Sequence, residues 1–115
     1  MLEIGERPWG KYFVLADESN YKLKRIEVNP GQKLSYQYHH KRQEQWTVIE
    51  GDATVVLDDK EIKLSYGESI FIPLGAKHRM MNLSDKPVVF IEVQTGTYFG
   101  EDDIVRIEDE YDRID

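Results

Sequence analysis

The chain has 115 residues, of which 40% are hydrophobic and 11% aromatic, and this suffices for one folded domain with a single core. It contains no cysteine, which excludes disulfides, thiolate metal ligands and cysteine nucleophiles. Of the formal net charge of −7 at pH 7, residues 101–115 carry −6, from eight acids and two arginines. The first hundred residues are therefore almost neutral, and we expect no nucleic acid partner, because such partners need a basic surface.

The sequence also lacks the patterns of a membrane-spanning helix and of an export signal. No apolar run approaches the roughly 20 residues that a bilayer-spanning helix needs. The N-terminal stretch MLEIGERPWG lacks the basic-then-apolar order of a signal peptide. We therefore expect no membrane partner and a cytoplasmic location.

Short segments with a period of two, rich in β-branched and aromatic residues, dominate the chain. They lie at 12–16, 21–28, 33–40, 44–50, 53–57, 61–66, 69–73, 77–83 and 88–94. The stretches between them supply the Gly, Pro, Asn and Asp that turns require. Only the stretch from Glu101 is compatible with a helix, with Ile104 and Ile107 as weak apolar anchors. The pattern predicts one all-β domain over residues 1–115, with a sandwich or small barrel at 1–100 and a helical or irregular acidic tail at 101–115.

The segment LSYQYHHKRQEQW, residues 34–46, concentrates polar side chains that can bind metal. Strand alternation places Gln37 and His39 on one face, while His40 lies on the other and is interpreted as an ordinary polar residue. If the next strand pairs beside this one, Glu44 turns toward the same point. A further group from another part of the chain would be needed to complete a site.

Two gapped motifs occur in the right order for such a site. Residues 31–51 match G-x5-H-x-H-x4-E-x6-G, except that Gln37 stands in place of the first histidine. Residues 67–82 match G-x5-P-x-G-x2-H-x3-N at every fixed position and contribute His78. These motifs resemble those of the cupin superfamily. The resemblance implies a cupin jelly-roll barrel, also called a double-stranded β-helix.

The cupin resemblance implies a metal site. Its ligands would be Gln37, His39, Glu44 and His78. Two imidazole nitrogens and two side-chain oxygens suit Zn²⁺ best, with Mn²⁺, Fe²⁺ and Co²⁺ as alternatives. Unpaired polar groups inside a barrel are costly, which favours a bound cation over four unrelated polar residues. The neutral amide of Gln37 departs from the three-histidine set associated with many cupin dioxygenases.

A narrower resemblance covers nearly the whole chain. Residues 7–15, 21–51, 70–82 and 90–113 are similar to the C-terminal domain of type II mannose-6-phosphate isomerases. Asp112 departs from the glycine that the family usually has there. In that family the domain is often fused behind a mannose-1-phosphate guanylyltransferase, but no glycine-rich nucleotide-binding loop precedes Arg7, so we expect no guanylyltransferase activity. The resemblance implies metal-dependent interconversion of mannose 6-phosphate and fructose 6-phosphate through an enediol.

An isomerase of this kind also needs a group that transfers a proton between two carbons. The candidates for this catalytic role are Glu92 and the lysines Lys22 and Lys24. Glu92 could instead be an outward, solvated carboxylate. Both lysines share a strand face with Ile26, and both enter the barrel if that face points inward, unless a bulge near Arg25 resets the alternation.

The phosphate of the substrate needs cations at the cavity mouth. We expect Arg106, Arg42 and Lys22 to bind it, because Arg106 interrupts the acidic tail and Arg42 lies between two ligand strands. The alternative for both arginines is a surface ion pair, for example Arg106 with Asp102 or Glu110 at helical spacing.

Other interpretations stay open at this point. The chain could be a non-catalytic cupin that binds a sugar phosphate or a metal, or it could be a cupin dioxygenase. We expect a homodimer, because an open barrel edge favours pairing between sheets. Trp46 and Phe71 are interpreted as cavity wall or core.

Overall fold

The structure is a computed structural model, and it describes residues 2–108. The strands are β1 Glu3–Arg7, β2 Gly10–Asp17, β3 Tyr21–Val28, β4 Tyr36–His39, β5 Arg42–Glu50, β6 Ala53–Leu57, β7 Lys60–Leu64, β8 Ser69–Ile72, β9 His78–Met81, β10 Val88–Gly96 and β11 Ile104–Glu108. A 3-10 turn, Glu101–Asp103, joins β10 to β11. Within the described residues, no helix has the length and apolar character needed to cross a membrane. The cytoplasmic location remains a prediction.

The strands form two antiparallel sheets. One sheet has the order β1-β2-β3-β10-β5-β8, and the other has the order β11-β4-β9-β6-β7. The residues buried between the sheets include Val28, Val48, Val55, Met80 and Phe90. This arrangement agrees with the expected all-β jelly-roll barrel, and each of the nine predicted segments corresponds to one of the strands β2 to β10.

The inward-facing side chains change character along the strands of the larger sheet. In β5, buried residues alternate with more exposed ones and run from Glu44 near its start through Trp46 to Val48. In the neighbouring β10, Phe90 lies opposite Val48 and Gln94 lies opposite Glu44. The barrel therefore has an apolar end, which forms the core, and a polar end, where buried polar side chains of neighbouring strands meet.

The first edge strand, β1, was not predicted from the sequence. Its segment EIGER carries three charged residues and a glycine, so it lacks the composition of a typical strand. The glycine is nevertheless needed, because a Cβ atom on Gly5 would lie 2.0 Å from the ring of Tyr12 in β2. β1 adds a strand at the edge of the sheet, next to β2.

The predicted tail is wrong for residues 104–108. After the 3-10 turn, the chain does not continue as a helix or an irregular segment but forms β11 at the edge of the smaller sheet, beside β4. The apolar pair Ile104 and Ile107 favours a helix only weakly, whereas the edge of β4 satisfies backbone hydrogen-bonding groups. Residues 109–115, including Glu110 and Asp112, lie outside the described residues.

Candidate metal centre and adjoining cavity

Three of the four expected metal ligands converge at the polar end of the barrel. His39 ends β4, Glu44 lies in β5 and His78 begins β9, and all three are buried. One potential ligand atom from each lies within 4.8 Å of the others. Glu44 stands between the two imidazoles, with Oε2 3.2 Å from His39 Nε2 and Oε1 3.9 Å from His78 Nε2. The three side chains could hold one metal ion.

A hydrogen bond to the backbone orients the ring of His78 and fixes which ring nitrogen carries the hydrogen. Its Nδ1 lies 2.9 Å from the carbonyl oxygen of Ala76. A carbonyl oxygen can only accept, so Nδ1 carries the hydrogen and Nε2 keeps its lone pair toward Glu44. Burial lowers the pKa of His78 despite the nearby Glu44 carboxylate, which favours the neutral ring that a metal requires.

Glu44 supplies the negative charge of the centre. Burial alone would raise the pKa of Glu44, but the hydrogen bond from His39, the adjacent His78 and the charge of Arg42 hold it well below its usual range. Trp46 Nε1 donates to Glu44 Oε1 at 2.9 Å, and Arg42 Nε donates to Oε2 at 2.9 Å. Oε1 retains a further lone pair for a cation, whereas Oε2 also lies 3.2 Å from His39 Nε2.

Gln37 lies directly beside the three converging ligands. It is the register partner of His78 between β4 and β9, and of Arg106 between β11 and β4. Its Nε2 donates to the hydroxyl of Ser35 at 2.8 Å, which leaves the amide oxygen available as a ligand. Gln37 remains a predicted fourth ligand, and its position favours that role.

The donor set fits a divalent cation. It combines two imidazoles with one ionised carboxylate, a mixture typical of zinc and of other divalent first-row metals. His39 Nδ1 is a buried nitrogen that has no hydrogen-bond partner within residues 2–108. Such an orphaned atom is costly in a finished core, and its presence shows that this end of the barrel is not optimised for stability alone.

Glu92 points into the cavity, so the alternative of an outward carboxylate is wrong. It is 5% exposed, because β10 alternates and Phe90 and Gln94 share its face. Trp46 Nε1 donates to its Oε1 at 3.1 Å, and Gln94 Nε2 donates to its Oε2 at 2.8 Å. Burial, reinforced by the charge of Glu44, raises the pKa of Glu92 to about 8. A group that can take up and release protons near neutrality therefore lies next to the metal centre.

Lys24 also faces the cavity, and the alternative of a bulge near Arg25 that resets the alternation is not found in the described β3. The register shift lies instead in β2, between Val14 and Ala16. Lys24 Nζ lies 3.1 Å from Glu101 Oε1. Burial would lower the pKa of this ammonium group, but the nearby carboxylates, that of Glu92 foremost, raise it overall, so Lys24 stays charged.

Lys22, the other lysine of the predicted pair, takes a different position. It is partly buried, and its Nζ lies 4.0 Å from Asp17 Oδ2 in the neighbouring β2. Lys22 lies beside an acid at the end of the hairpin rather than in the cavity. Its position therefore does not support its predicted role in binding phosphate. Lys22 shares the strand face of Lys24 but lies nearer the end of β3, and of the two lysines it is Lys24 that lines the cavity.

Arg42 lies deeper than predicted. It begins β5 and is 4% exposed, so neither a position on the rim nor the alternative of a surface ion pair describes it. Besides its bond to Glu44, its Nη2 lies 3.4 Å from His39 Nε2, and its Nη1 lies 3.5 Å from Glu101 Oε2. The guanidinium therefore links the metal centre to the mouth of the cavity.

Arg106 is carried by β11 to the side of the cavity. It lies opposite Gln37 and contributes to the lining. Because β11 is a strand, the alternative of an ion pair at helical spacing with Asp102 does not apply, and Asp102 instead accepts a hydrogen bond from Tyr98. Its role in binding phosphate remains a prediction.

The two aromatic residues interpreted as cavity wall or core, Trp46 and Phe71, take different positions. Trp46 lines the cavity, as predicted, with its ring in contact with His78. Phe71 is 50% exposed, so its assignment to cavity wall or core is wrong. The reason is the alternation of β8, in which Ile70 and Ile72 are the more buried residues and Phe71 faces outward.

Sequence reasoning missed several residues of the cavity. Its lining includes five basic side chains, Arg7, Lys24, Arg42, Arg79 and Arg106, and three acidic ones, Glu44, Glu92 and Glu101. The ring of Tyr12 packs between Lys24 Nζ, 4.9 Å from its centroid, and the Arg7 guanidinium, 4.8 Å away. The cavity has a volume of about 80 Å³ and opens to solvent at its mouth. The excess of basic groups suits an anionic ligand.

Nearly the whole described chain matches a known protein family. The family described as Mannose-6-phosphate isomerase C-terminal matches residues 3–109. The chain belongs to this family. Among curated relatives, the xanthan biosynthesis protein XanB of Xanthomonas campestris pv. campestris is 48% identical over 107 residues, which are 93% of this chain and 23% of XanB. The mannose-1-phosphate guanylyltransferase ManC of Salmonella typhimurium is 47% identical over 108 residues, which are 94% of this chain and 22% of ManC.

This member of the mannose-6-phosphate isomerase C-terminal family thus spans less than a quarter of the length of these relatives. Solved structures confirm the cupin fold. A sugar phosphate isomerase from the cupin superfamily of Silicibacter pomeroyi has a TM-score of 0.70 at 26% identity, covering 79% of this chain and 65% of that one. The capsular polysaccharide assembling protein CapF of Staphylococcus aureus has a TM-score of 0.77 at 21% identity, covering 92% and 34%, and supports the fold alone.

Proposed function

We propose that the chain is a metal-dependent isomerase that interconverts mannose 6-phosphate and fructose 6-phosphate through an enediol. One observation carries this proposal. A buried carboxyl group with a pKa near neutrality, Glu92, lies in the same basic cavity as the converging His39, Glu44 and His78. Membership of the mannose-6-phosphate isomerase C-terminal family supports the choice of substrate.

The metal in this proposal is Zn²⁺, with Mn²⁺, Fe²⁺ and Co²⁺ as alternatives. His39, Glu44 and His78 would hold it, with the amide oxygen of Gln37 as the fourth protein ligand. When bound, it supplies a Lewis acid that polarises the sugar oxygens next to the reacting carbons.

Glu92 is proposed as the proton carrier. In the direction from mannose to fructose, its carboxylate takes the proton from C2 and returns it to C1, while a proton moves from O2 to O1. Hydrogen bonds from Trp46 and Gln94 hold the two carboxyl oxygens in place, so the group is oriented before substrate arrives. A pKa near the working pH suits a group that must both accept and donate a proton.

Lys24 is proposed to act as a cation rather than as the catalytic base. Its raised pKa keeps it protonated near neutral pH, so it has no lone pair with which to accept a proton. Together with Arg42 and the more peripheral Arg7 and Arg106, it provides the positive charge that a phosphate dianion needs. The apolar faces of Tyr12 and the other aromatic residues exclude water around the sugar.

The proposal is tested with mannose 6-phosphate and the isolated chain. The protein is stripped of metal with a chelator, dialysed, reloaded separately with each of the four metals and assayed for fructose 6-phosphate. We expect turnover to disappear on stripping and to return with at least one metal. Metal binding without product would contradict the isomerase. In that event, binding of sugar phosphate would favour a non-catalytic cupin, and oxygen consumption would favour a dioxygenase.

The expected homodimer is also part of the proposal. Leu23, Val93, Gln45 and Phe71 follow one another across the outer face of the larger sheet, and this mostly apolar row supports pairing through that face. Sedimentation velocity should give twice the monomer mass, and Phe71→Glu should give the monomer. A wild-type monomer at micromolar concentration would contradict the homodimer.

A further inference from the structure

Glu101 occupies an unusual position at the mouth of the cavity. It begins the 3-10 turn between β10 and β11, and its two carboxylate oxygens reach two different cations. Oε1 lies 3.1 Å from Lys24 Nζ, and Oε2 lies 3.5 Å from Arg42 Nη1. The side chain of Glu101 is 46% exposed, whereas those of Lys24 and Arg42 are 6% and 4% exposed. One carboxylate therefore bridges two buried cations from the solvent side.

The other two acids of the cavity are fixed more firmly. Glu44 and Glu92 are buried within sheet strands and accept hydrogen bonds from Trp46, and each has a second donor. Glu101 stands on a single turn, and no side chain caps the start of that turn. A rotation of the Glu101 side chain into solvent breaks its contacts with the two cations without disturbing a strand. Of these three carboxylates, Glu101 is the one that a ligand can replace at low cost.

A phosphate group matches what Glu101 offers to the two cations. Both are oxyanions that accept hydrogen bonds from an ammonium and a guanidinium group, and a phosphate dianion carries more charge and more acceptor oxygens. We propose that Lys24 and Arg42 form a subsite for the phosphate of a sugar phosphate, and that Glu101 is an internal ligand that closes this subsite until the phosphate displaces its carboxylate. The sugar phosphate in this inference rests on the proposed function.

This arrangement gives the cavity a preference for charged ligands. A neutral sugar cannot replace the carboxylate on the two cations, because Lys24 would lose its ion pair and Arg42 would keep only the one with Glu44. A phosphate monoester keeps both cations paired and moves only Glu101. The closed subsite also weakens binding of every phosphate ligand by the fraction of molecules in which the Glu101 carboxylate is in place.

The test is binding of inorganic phosphate, measured by titration calorimetry on the metal-stripped and dialysed protein so that the phosphate does not report on a bound metal. Glu101→Gln keeps the shape of the side chain and removes its charge. We expect it to tighten phosphate binding by about fivefold, the factor that corresponds to losing the partly exposed ion pairs of one carboxylate. Asp102→Asn is the matched control, because it removes one charge from the neighbouring residue of the same turn, whose side chain bonds to Tyr98 instead.

Four results would overturn the inference. The first is that Glu101→Gln leaves phosphate affinity unchanged or lowers it. The second is that Asp102→Asn tightens binding as much as Glu101→Gln, which would assign the effect to the overall charge of the turn. The third is that Lys24→Met, with its fold verified by circular dichroism, retains wild-type affinity. The fourth is that neither wild type nor Glu101→Gln binds phosphate.

The result of the phosphate titrations does not depend on whether the protein is an isomerase. If no sugar phosphate is isomerised but the variants bind phosphate in the expected order, the subsite stands and the proposed function fails. If mannose 6-phosphate is turned over but Glu101→Gln binds phosphate with the affinity of wild type, the function stands and this inference fails. Titration with mannose adds a further check, because Glu101→Gln should leave the affinity for this neutral sugar unchanged.

Discussion

Asp103 is predicted to position the metal ligands although it does not touch them. Its side chain is buried at the end of the 3-10 turn and accepts hydrogen bonds from two backbone N–H groups, that of His40 at 3.2 Å and that of Lys41 at 2.9 Å. These residues form the connection between His39 and Glu44. One side chain thus fixes the turn that sets the distance between two of the proposed ligands.

Asp103→Ala removes both acceptors at once. A hydrogen bond of this kind contributes about 1 to 1.5 kcal/mol, so the variant should unfold with a free energy about 2 to 3 kcal/mol lower than that of wild type. Asp103→Asn should lose about half of this, because its amide retains one oxygen and presents donors to the second N–H group. Zn²⁺ affinity should fall about tenfold, the loss typical of removing a partner outside the ligand shell.

The assays are urea unfolding of the metal-free protein and competition with a chromogenic chelator for Zn²⁺. Asp102→Ala serves as the control on the same turn, and it should remain within about 0.5 kcal/mol of wild type because the residue is exposed. Equal stability of Asp103→Ala and wild type would refute the energetic argument. A loss of stability with unchanged Zn²⁺ affinity would refute the positioning role and leave a purely structural one.

Four further predictions concern the proposed centre. His78→Ala should abolish stoichiometric Zn²⁺ binding, seen by elemental analysis, while circular dichroism stays close to wild type; full metal retention would exclude the residue as a ligand. Glu92→Gln should reduce kcat by about 10² to 10⁴ with Zn²⁺ still bound, the range for losing a proton carrier, and a reduction below tenfold would remove Glu92 from that role. Arg106→Ala should raise KM with the metal retained, and an unchanged KM would withdraw it as a phosphate partner. Because the folded-state pKa of Glu92 is raised to about 8, the metal-free protein should lose stability as pH rises from about 4.5 to 8, and urea unfolding should show a flatter profile for Glu92→Gln.

The barrel was predictable because most of its strands can be recognised in the sequence as short segments. Segments such as residues 21–28 and 88–94 are rich in β-branched and aromatic residues and are bounded by turn residues, and they reappear as β3 and β10 with little change in their bounds. The two missed strands are edge strands, where one side of the backbone is unpaired and charged residues are common. Their formation depends on where a distant partner strand ends, which a local pattern does not contain.

The convergence of three of the proposed metal ligands was predictable for a different reason. Their spacing belongs to two motifs whose positions fix strand, turn and strand, so His39, Glu44 and His78 meet once the barrel closes. Glu101 offers no comparable signal. It is one acid among eight in the tail, and its partner Lys24 lies 77 residues earlier in the chain. A contact over such a separation follows from the path of the turn between β10 and β11, not from the neighbours of either residue.

The polar end of the barrel is built from residues whose burial is costly for stability. Lys24, Arg42, Glu44 and Glu92 are almost fully buried in adjacent strands, and buried charges are costly even when paired. The apolar end compensates, because Val28, Val48 and Phe90 continue the same strands as a dry core. Replacing Glu92 and Lys24 together by Met and Leu should therefore stabilise the fold while abolishing proton transfer and phosphate binding. A destabilised double variant would mean that these charges are retained for folding, and the case for a catalytic cavity would weaken.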